Sequence, residues 1–116
     1  MKTVLLVDDD EDIREALRAI LEDEGFDVHV AVNGKDALDS LRSGLRPNVI
    51  LLDLMMPVMS GWQFRSAQRA DPELSLIPVV VLSAVHEQPD DLAVHASLRK
   101  PIDIERLLEV VERAAA

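Results

Sequence analysis

Short apolar runs alternate with amphipathic helical patterns along the whole chain. Runs of about four to eight apolar residues between polar segments are typical of strands that are buried on both faces of a sheet. Such runs lie at Thr3–Val7, Asn48–Asp53 and Ile77–Ala84. Asp27–Val32 alternates like a strand nearer the sheet edge, and a minimal fifth strand is predicted at Ser97–Arg99. Because strands that alternate with helices form βαβ units, the pattern predicts an α/β fold with a parallel sheet.

Helical patterns fill the intervals between these strands. The first helix is followed by Gly25, which lies where a left-handed C-terminal cap belongs. A third helix is predicted over Gly61–Ala70, and the last helix is capped by Asp103. The apolar stripe of this last helix consists of Ile104, Leu107, Leu108 and Val111. Right-handed crossovers then place helices on both faces of the sheet and ligands at the carboxyl ends of the strands.

The composition limits the class of protein. The 116 residues suffice for one domain, predicted over residues 1–116, and the chain contains no cysteine. Thiol catalysis and Cys-ligated metal sites are therefore excluded, and a reducing compartment is favoured. The apolar run near the N-terminus is too short for a signal-peptide core or a membrane span, so a soluble cytoplasmic protein without a membrane partner is expected.

The charge balance argues against direct binding of nucleic acid. The chain has 22 acidic and 12 basic residues, which gives a formal net charge of −10. Contacts to phosphates need clustered Lys and Arg side chains, and bases need aromatic side chains on which to stack. Phe26, Trp62 and Phe64 are the only aromatic residues. We therefore expect no direct binding of DNA or RNA.

Five consecutive acids follow the first strand. Two carboxylates about 4 Å apart repel by about 4 kcal/mol at an effective dielectric constant of about 20, whereas a whole domain is stable by only about 5–15 kcal/mol. Some of these acids must therefore face water or share a cation. Asp10, Glu11 and Asp12 fall in the first turn of the first helix, where they are expected to face solvent and to favour the helix dipole.

The other two acids are predicted to meet a third one. Asp8 and Asp9 end the first strand, Asp53 ends the third, Ser83 the fourth and Lys100 the fifth. The carboxyl ends of parallel strands lie at one edge of the sheet, so these side chains should converge there. Three carboxylates from neighbouring strands form an oxygen-only site suited to an octahedral Mg²⁺ ion.

Four motifs occur in order at the ends of these strands: VLLVDDDEDIREAL, VILLDLMMPVMSGW, VVVLSA and LRKP. With them the whole chain resembles the response-regulator receiver domain of bacterial two-component signalling. The resemblance implies a flavodoxin-like receiver fold, with a five-stranded parallel sheet in the order 2-1-3-4-5 and helices on both faces. It also implies that helix four is shortened, because Lys100 comes only 17 positions after Ser83.

The resemblance implies a function in phosphotransfer. In this family a sensor histidine kinase or a phosphotransfer protein donates a phosphoryl group to the aspartate that ends strand three, here Asp53. Such a domain acts as a signalling switch or phosphorelay module, and a downstream effector protein is among its expected partners. It is not an enzyme in the ordinary sense, although it assists its own phosphorylation and dephosphorylation. Attack by a carboxylate oxygen needs mainly positioning and neutralisation of charge.

The resemblance also implies roles for the converging residues. By similarity, Asp8, Asp9, Asp53 and the backbone carbonyl of Met55 bind Mg²⁺. Ser83 matches the hydroxyl residue that hydrogen-bonds the phosphoryl group, and Lys100 matches the cation that pairs with it. Pro101 matches a proline that is usually preceded by a cis peptide bond, and Pro57 and Gly61 match the sharp turn after the acceptor.

The chain departs from the family pattern on the output side. Ser97 stands where receivers usually carry a Tyr or Phe that changes rotamer on phosphorylation. The segment His86–Ala96, which holds Pro89, has room for only about two helical turns. The usual output surface, formed by helix four, strand five and helix five, is therefore expected to be weakened. A receiver-fold interaction module with vestigial phosphorylation remains an alternative.

Other sites fit the sequence less well. An EF-hand loop that begins at Asp8 lacks the required glycine, since Ile13 stands there, and lacks the terminal glutamate, since Ala19 stands there. His29, His86 and His95 share no ligand spacing and are expected at the surface. A small aspartyl-phosphate hydrolase would need a second aspartate as general acid, which the DLM sequence after the acceptor lacks. The methionines 55, 56 and 59 are expected to pack rather than to bind a soft metal.

Overall fold

A computed structural model describes residues 2–83 and 94–116. It contains one parallel sheet of five strands: β1 (Thr3–Val7), β2 (Asp27–Ala31), β3 (Val49–Asp53), β4 (Val79–Ser83) and β5 (Ala96–Arg99). The strand order is β2-β1-β3-β4-β5, as the family resemblance predicted. β4 begins two residues later than predicted because Pro78, which has no N–H, cannot donate to the ladder.

Four helices and one short turn lie between the described strands or follow them. They are α1 (Glu11–Asp23), α2 (Gly34–Arg42), α3 (Gly61–Ala70), a 3-10 turn (Leu74–Leu76) and α4 (Ile104–Ala114). α3 has the predicted bounds, and α4 is the fifth helix of the predicted arrangement. The predicted short fourth helix falls largely on residues 84–93, which lie outside the described residues. Within the described ranges, no helix combines the length and the apolar composition that crossing a bilayer requires.

The sheet separates two hydrophobic clusters. Alternate residues of each strand point to opposite faces, so Leu6 packs with α1 and α4 while Leu5 packs with α2 and α3. Leu107 of α4 and Phe64 of α3 are fully buried members of the two clusters. With both faces covered, the central strands β1 and β3 are fixed in position. Their carboxyl ends can then hold polar groups in a defined geometry.

The helices begin at side-chain caps that the sequence makes recognisable. Asp10, Asn33, Ser60 and Asp103 each accept a hydrogen bond from the backbone N–H three residues later. Such caps satisfy backbone donors that the first helical turn leaves unpaired. Gly25 has a φ of 94° after the end of α1, which confirms its predicted left-handed conformation.

Candidate functional site

Three carboxylates converge at the carboxyl edge of the sheet. β1 lies next to β3, with Val7 opposite Leu52, so the residues that follow them in the chain are also neighbours. One oxygen each from Asp8, Asp9 and Asp53 can be chosen such that all three lie within 4.8 Å of one another. Asp8 and Asp53 are buried, whereas Asp9 is exposed. The predicted convergence of these three acids is therefore present in the structure.

Asp8 is held from several directions. Its N–H donates to the carbonyl of Ala31 over 3.2 Å, which continues the sheet by one residue. Its Oδ1 accepts from the N–H of Asp10 over 2.9 Å, and its Oδ2 accepts from Lys100 Nζ over 3.3 Å. Its carbonyl oxygen accepts from Arg14 Nη1 over 2.9 Å. These bonds satisfy the polar atoms of a fully buried carboxylate, as burial requires.

Lys100 bridges the two buried acids. The peptide bond between Lys100 and Pro101 is cis, as the resemblance predicted. The backbone N–H of Lys100 donates to the carbonyl of Ser83 over 2.8 Å. Its Nζ lies 3.3 Å from Asp8 Oδ2 and 3.5 Å from Asp53 Oδ1. One ammonium group thus offsets part of the repulsion among three carboxylates, and the site keeps a net negative charge.

The electrostatic surroundings of Asp53 make its ionised form less favourable than that of a solvent-exposed aspartate. Burial and the negative charge of Asp8 raise the pKa of Asp53 from 3.8 to about 6, and Asp9 acts in the same direction. Lys100 and the N–H of Met55, which donates to Asp53 Oδ1 over 3.3 Å, act in the opposite direction. Ionised Asp53 is therefore short of compensating positive charge.

Ser83 lies at the same edge of the sheet. It is the last residue of β4 and is fully buried. The register pairs Leu82 with Asp53, so Ser83 lies one position farther toward the carboxyl edge than the partner of Asp53. The fold therefore brings a hydroxyl group to the edge that carries Asp53 and Lys100.

The donor set fits a hard divalent cation. Carboxylate oxygens are the ligands that Mg²⁺ and Ca²⁺ prefer, and the oxygens around an octahedral Mg²⁺ lie about 3–4 Å apart. The oxygens of Asp8, Asp9 and Asp53 reach this range after a small closure from their separations of up to 4.8 Å. The exposed position of Asp9 leaves one side of the site open to water.

The chain turns back sharply after Asp53. A Cβ on Gly61 would lie 2.6 Å from the carbonyl oxygen of Asp53, so only glycine fits at this position. Val58 has a φ of 68°, and the N–H of Met59 donates to the carbonyl of Pro57 over 2.7 Å. This pattern is a γ-turn, which is strained for a β-branched residue. The sharp turn at Pro57 and Gly61 was predicted, whereas the positive φ of Val58 within it was not.

The remaining candidates lie outside the site. His29 is exposed and pairs with Asp27 over 3.3 Å, and His95 is also exposed, while His86 lies outside the described residues. Met56 and Met59 pack against the cluster of α2 and α3, as expected for apolar side chains.

Two residues near the site were predicted incompletely or not at all. The side chain of Met55 is 59% exposed and does not pack as expected. Arg14, which contacts Asp8, was missed. Its sequence signal is that it is the only basic residue between Lys2 and Arg18, in a strongly acidic segment.

Comparisons with known proteins agree with this geometry. The family described as the response regulator receiver domain matches residues 4–112. An uncharacterized 14.6 kDa protein of Leptolyngbya boryana is 37% identical over 115 residues, which cover 95% of this chain and 87% of that protein. The response regulator Rre1 of Synechocystis is 37% identical over 120 residues, which cover 98% of this chain but only 52% of Rre1. This chain therefore spans about half the length of Rre1.

A solved structure supports the same assignment. The chemotaxis response regulator CheY4 of Vibrio cholerae superposes with a TM-score of 0.89 at 31% identity, with 98% of each chain covered. The sheet order, the acidic edge and the family match thus agree over nearly the whole chain. The chain belongs to the response-regulator receiver domains of two-component signalling.

Proposed function

We propose that this domain accepts a phosphoryl group on Asp53 from a phosphohistidine of a histidine kinase or a phosphotransfer protein. The observation that carries this proposal is the position of Asp53, which is buried beside Asp8 and lies 3.5 Å from the ammonium of Lys100. A carboxylate that is buried in an acidic site, with a cation beside it, is well placed to accept an anionic group. The receiver family supplies the donor class.

The reaction needs one nucleophilic oxygen. A carboxylate oxygen of Asp53 attacks phosphorus, the P–N bond of the phosphohistidine breaks, and its electron pair returns to the imidazole ring. Little other chemistry is required of the protein, because positioning and charge stabilisation dominate phosphoryl transfer. We propose that Asp8, Asp9, Asp53 and the carbonyl of Met55 hold Mg²⁺. When bound, this ion offsets the negative charge of the carboxylates and of the phosphoryl oxygens.

Lys100 and Ser83 have a role after transfer. A phosphoryl group adds about 1.5–2 negative charges and three acceptor oxygens at the position of Asp53. The ammonium of Lys100, now shared between Asp8 and Asp53, would pair with one of these oxygens. The hydroxyl of Ser83 would donate to another. Both side chains would thus respond to phosphorylation, Ser83 at the end of β4 and Lys100 directly after β5.

Acetyl phosphate tests this proposal without knowledge of the natural kinase. With Mg²⁺ present, intact-mass measurement should show one added phosphoryl group on the wild-type chain. Asp53→Asn should remain unlabelled, because an amide is a poor nucleophile. Asp71→Asn, which changes a carboxylate in the segment after α3, should be labelled like the wild type.

The alternative function predicts a different outcome. A receiver-fold interaction module with vestigial phosphorylation would leave the wild type unlabelled under the same conditions. Exposed Ser97 on β5, where the family usually has an aromatic residue, is the observation that favours it. Label that persists in Asp53→Asn would contradict both functions, because it would identify another acceptor.

A further inference from the structure

Arg14 reaches back from the first turn of α1 to the end of β1. Its Nη1 donates to the carbonyl of Asp8 over 2.9 Å. Its Nε is buried and has no hydrogen-bond partner among the described residues. A buried donor without a partner costs about 1–3 kcal/mol. The position of the Arg14 side chain therefore costs free energy of folding. A buried donor without a partner needs an explanation, such as a functional role.

The Arg14 contact closes the turn that presents Asp9. The chain leaves β1 at Asp8 and enters α1 through Asp10, whose N–H donates to Asp8 Oδ1 and whose carbonyl accepts from the N–H of Arg14. Asp8 is also fixed by the sheet and by Lys100. Asp9 lies between these fixed points and is exposed. Its position relative to Asp8 thus depends on how firmly α1 is held against β1.

We propose that Arg14 is a positioning residue for the cation site, which keeps Asp9 where it can share a divalent ion with Asp8 and Asp53. This inference rests on the proposed function, because it assumes that the three acids bind such an ion. Groups that orient the ligands of a metal commonly affect its affinity strongly, although they do not touch the ion. Arg14 acts here through the backbone of Asp8 and the turn that follows.

The charge of Arg14 would have the opposite effect on affinity. A guanidinium group next to an acidic site repels a divalent cation, so its removal should tighten binding if charge alone mattered. If Arg14 instead positions Asp9, its removal should weaken binding. The sign of the change in Mg²⁺ affinity therefore separates the two roles.

The test is a Mg²⁺ titration followed by the backbone amide NMR signals of Asp9 and Met55. Arg14→Met removes both the charge and the donors while keeping an unbranched side chain, and we expect about tenfold weaker binding. Arg14→Gln is also neutral but retains an amide donor, so its affinity should lie between Arg14→Met and the wild type. Arg18→Met is the matched control, because Arg18 pairs with Glu22 on an exposed face of the same helix. Its affinity should equal that of the wild type.

The outcomes separate positioning from general stability. Both Arg14 variants are measured well below their melting temperatures. A merely structural role of Arg14 would therefore lower the melting temperature and leave the dissociation constant for Mg²⁺ unchanged. Unchanged or tighter binding in Arg14→Met, with normal binding in the wild type, would overturn the proposal. If Arg14→Met does not fold, Arg14→Gln decides: weaker binding supports the proposal, and equal or tighter binding overturns it. A wild type that binds no Mg²⁺ would instead contradict the proposed function.

Discussion

Two turns at the same sheet edge carry the acids and are stabilised in different ways. The turn from β1 to α1 is held by polar contacts, in which the N–H of Asp10 donates to Asp8 Oδ1 and Arg14 donates to the carbonyl of Asp8, directly after β1. The loop from β3 to α3 is held by close backbone approach, in which Gly61 fits against the carbonyl of Asp53. Its middle contains the strained residue Val58, which is 76% exposed. One turn thus depends on hydrogen bonds and the other on space that only glycine leaves free.

Among the tests of this comparison, Gly61→Ala should have the largest effect on stability, because it disturbs the loop from β3 to α3. The added Cβ would lie 2.6 Å from Asp53 O and 2.7 Å from Leu54 Cα, both of which are backbone atoms that cannot rotate away. We expect a loss of about 3 kcal/mol in the free energy of unfolding, measured by urea denaturation. Gly25→Ala is the control, since it has a positive φ but no atom within 4 Å of the added Cβ. It should cost only about 1 kcal/mol. Equal losses of unfolding free energy in the two variants would show that the close backbone approach at Gly61 has no special role.

The pKa of Asp53, which directly precedes the loop from β3 to α3, gives a second prediction. The folded state holds a proton up to a pH of about 6, whereas the unfolded chain releases it near 3.8. The stabilisation from this proton is complete below the unfolded pKa and is lost as pH rises through the folded pKa. Without metal, the wild type should therefore become less stable relative to Asp53→Asn between pH 4.5 and 7.5, by about 2 kcal/mol. Urea denaturation at both pH values measures the difference, and a constant or reversed difference would contradict the prediction.

The smallest response is expected far from both turns. Beryllium fluoride mimics the bound phosphoryl group and should shift the amide NMR signals of Asp9, Asp53, Ser83 and Lys100 strongly. The amides of Leu107–Val111 in α4 should shift weakly, because a small, exposed side chain at Ser97 couples the site poorly to that helix. Asp53→Asn serves as the control and should show neither response. A dimer that forms only with beryllium fluoride and is abolished by substitutions on α4 would contradict this prediction.

The sequence predicted the features that depend on local chemistry or on the order of the strands in the sheet. The cap at Asp103 and the start of α3 at Gly61 were correct, because capping residues act within one turn of the chain. The convergence of Asp8, Asp9 and Asp53 was correct because parallel strands deliver their carboxyl ends to one edge. No tertiary detail was needed for either prediction.

Features that depend on how particular side chains pack were not predicted. The 3-10 turn at Leu74–Leu76 is tied to α3 by Gln68, whose buried Nε2 donates to the carbonyls of Leu74 and Ile77. The stripe of α4 turns out to be centred on Leu107, Val110 and Val111. Ile104, which was assigned to this stripe, is 37% exposed. Helical spacing alone does not reveal how a helix rotates against its sheet.

The claim that Asp8, Asp9 and Asp53 form one cation site is tested most directly by thermal unfolding in Mg²⁺. If the ion relieves repulsion in the folded state, its binding stabilises the fold by about 1.4 kcal/mol at a concentration ten times the dissociation constant. The melting temperature of the wild type should rise with millimolar Mg²⁺. Asp9→Ala should blunt this rise, whereas Asp12→Ala, which removes an exposed acid from the first turn of α1, should leave it intact. An equal rise in the melting temperature of both variants would show that Mg²⁺ acts only by general screening, and it would contradict the proposed cation site.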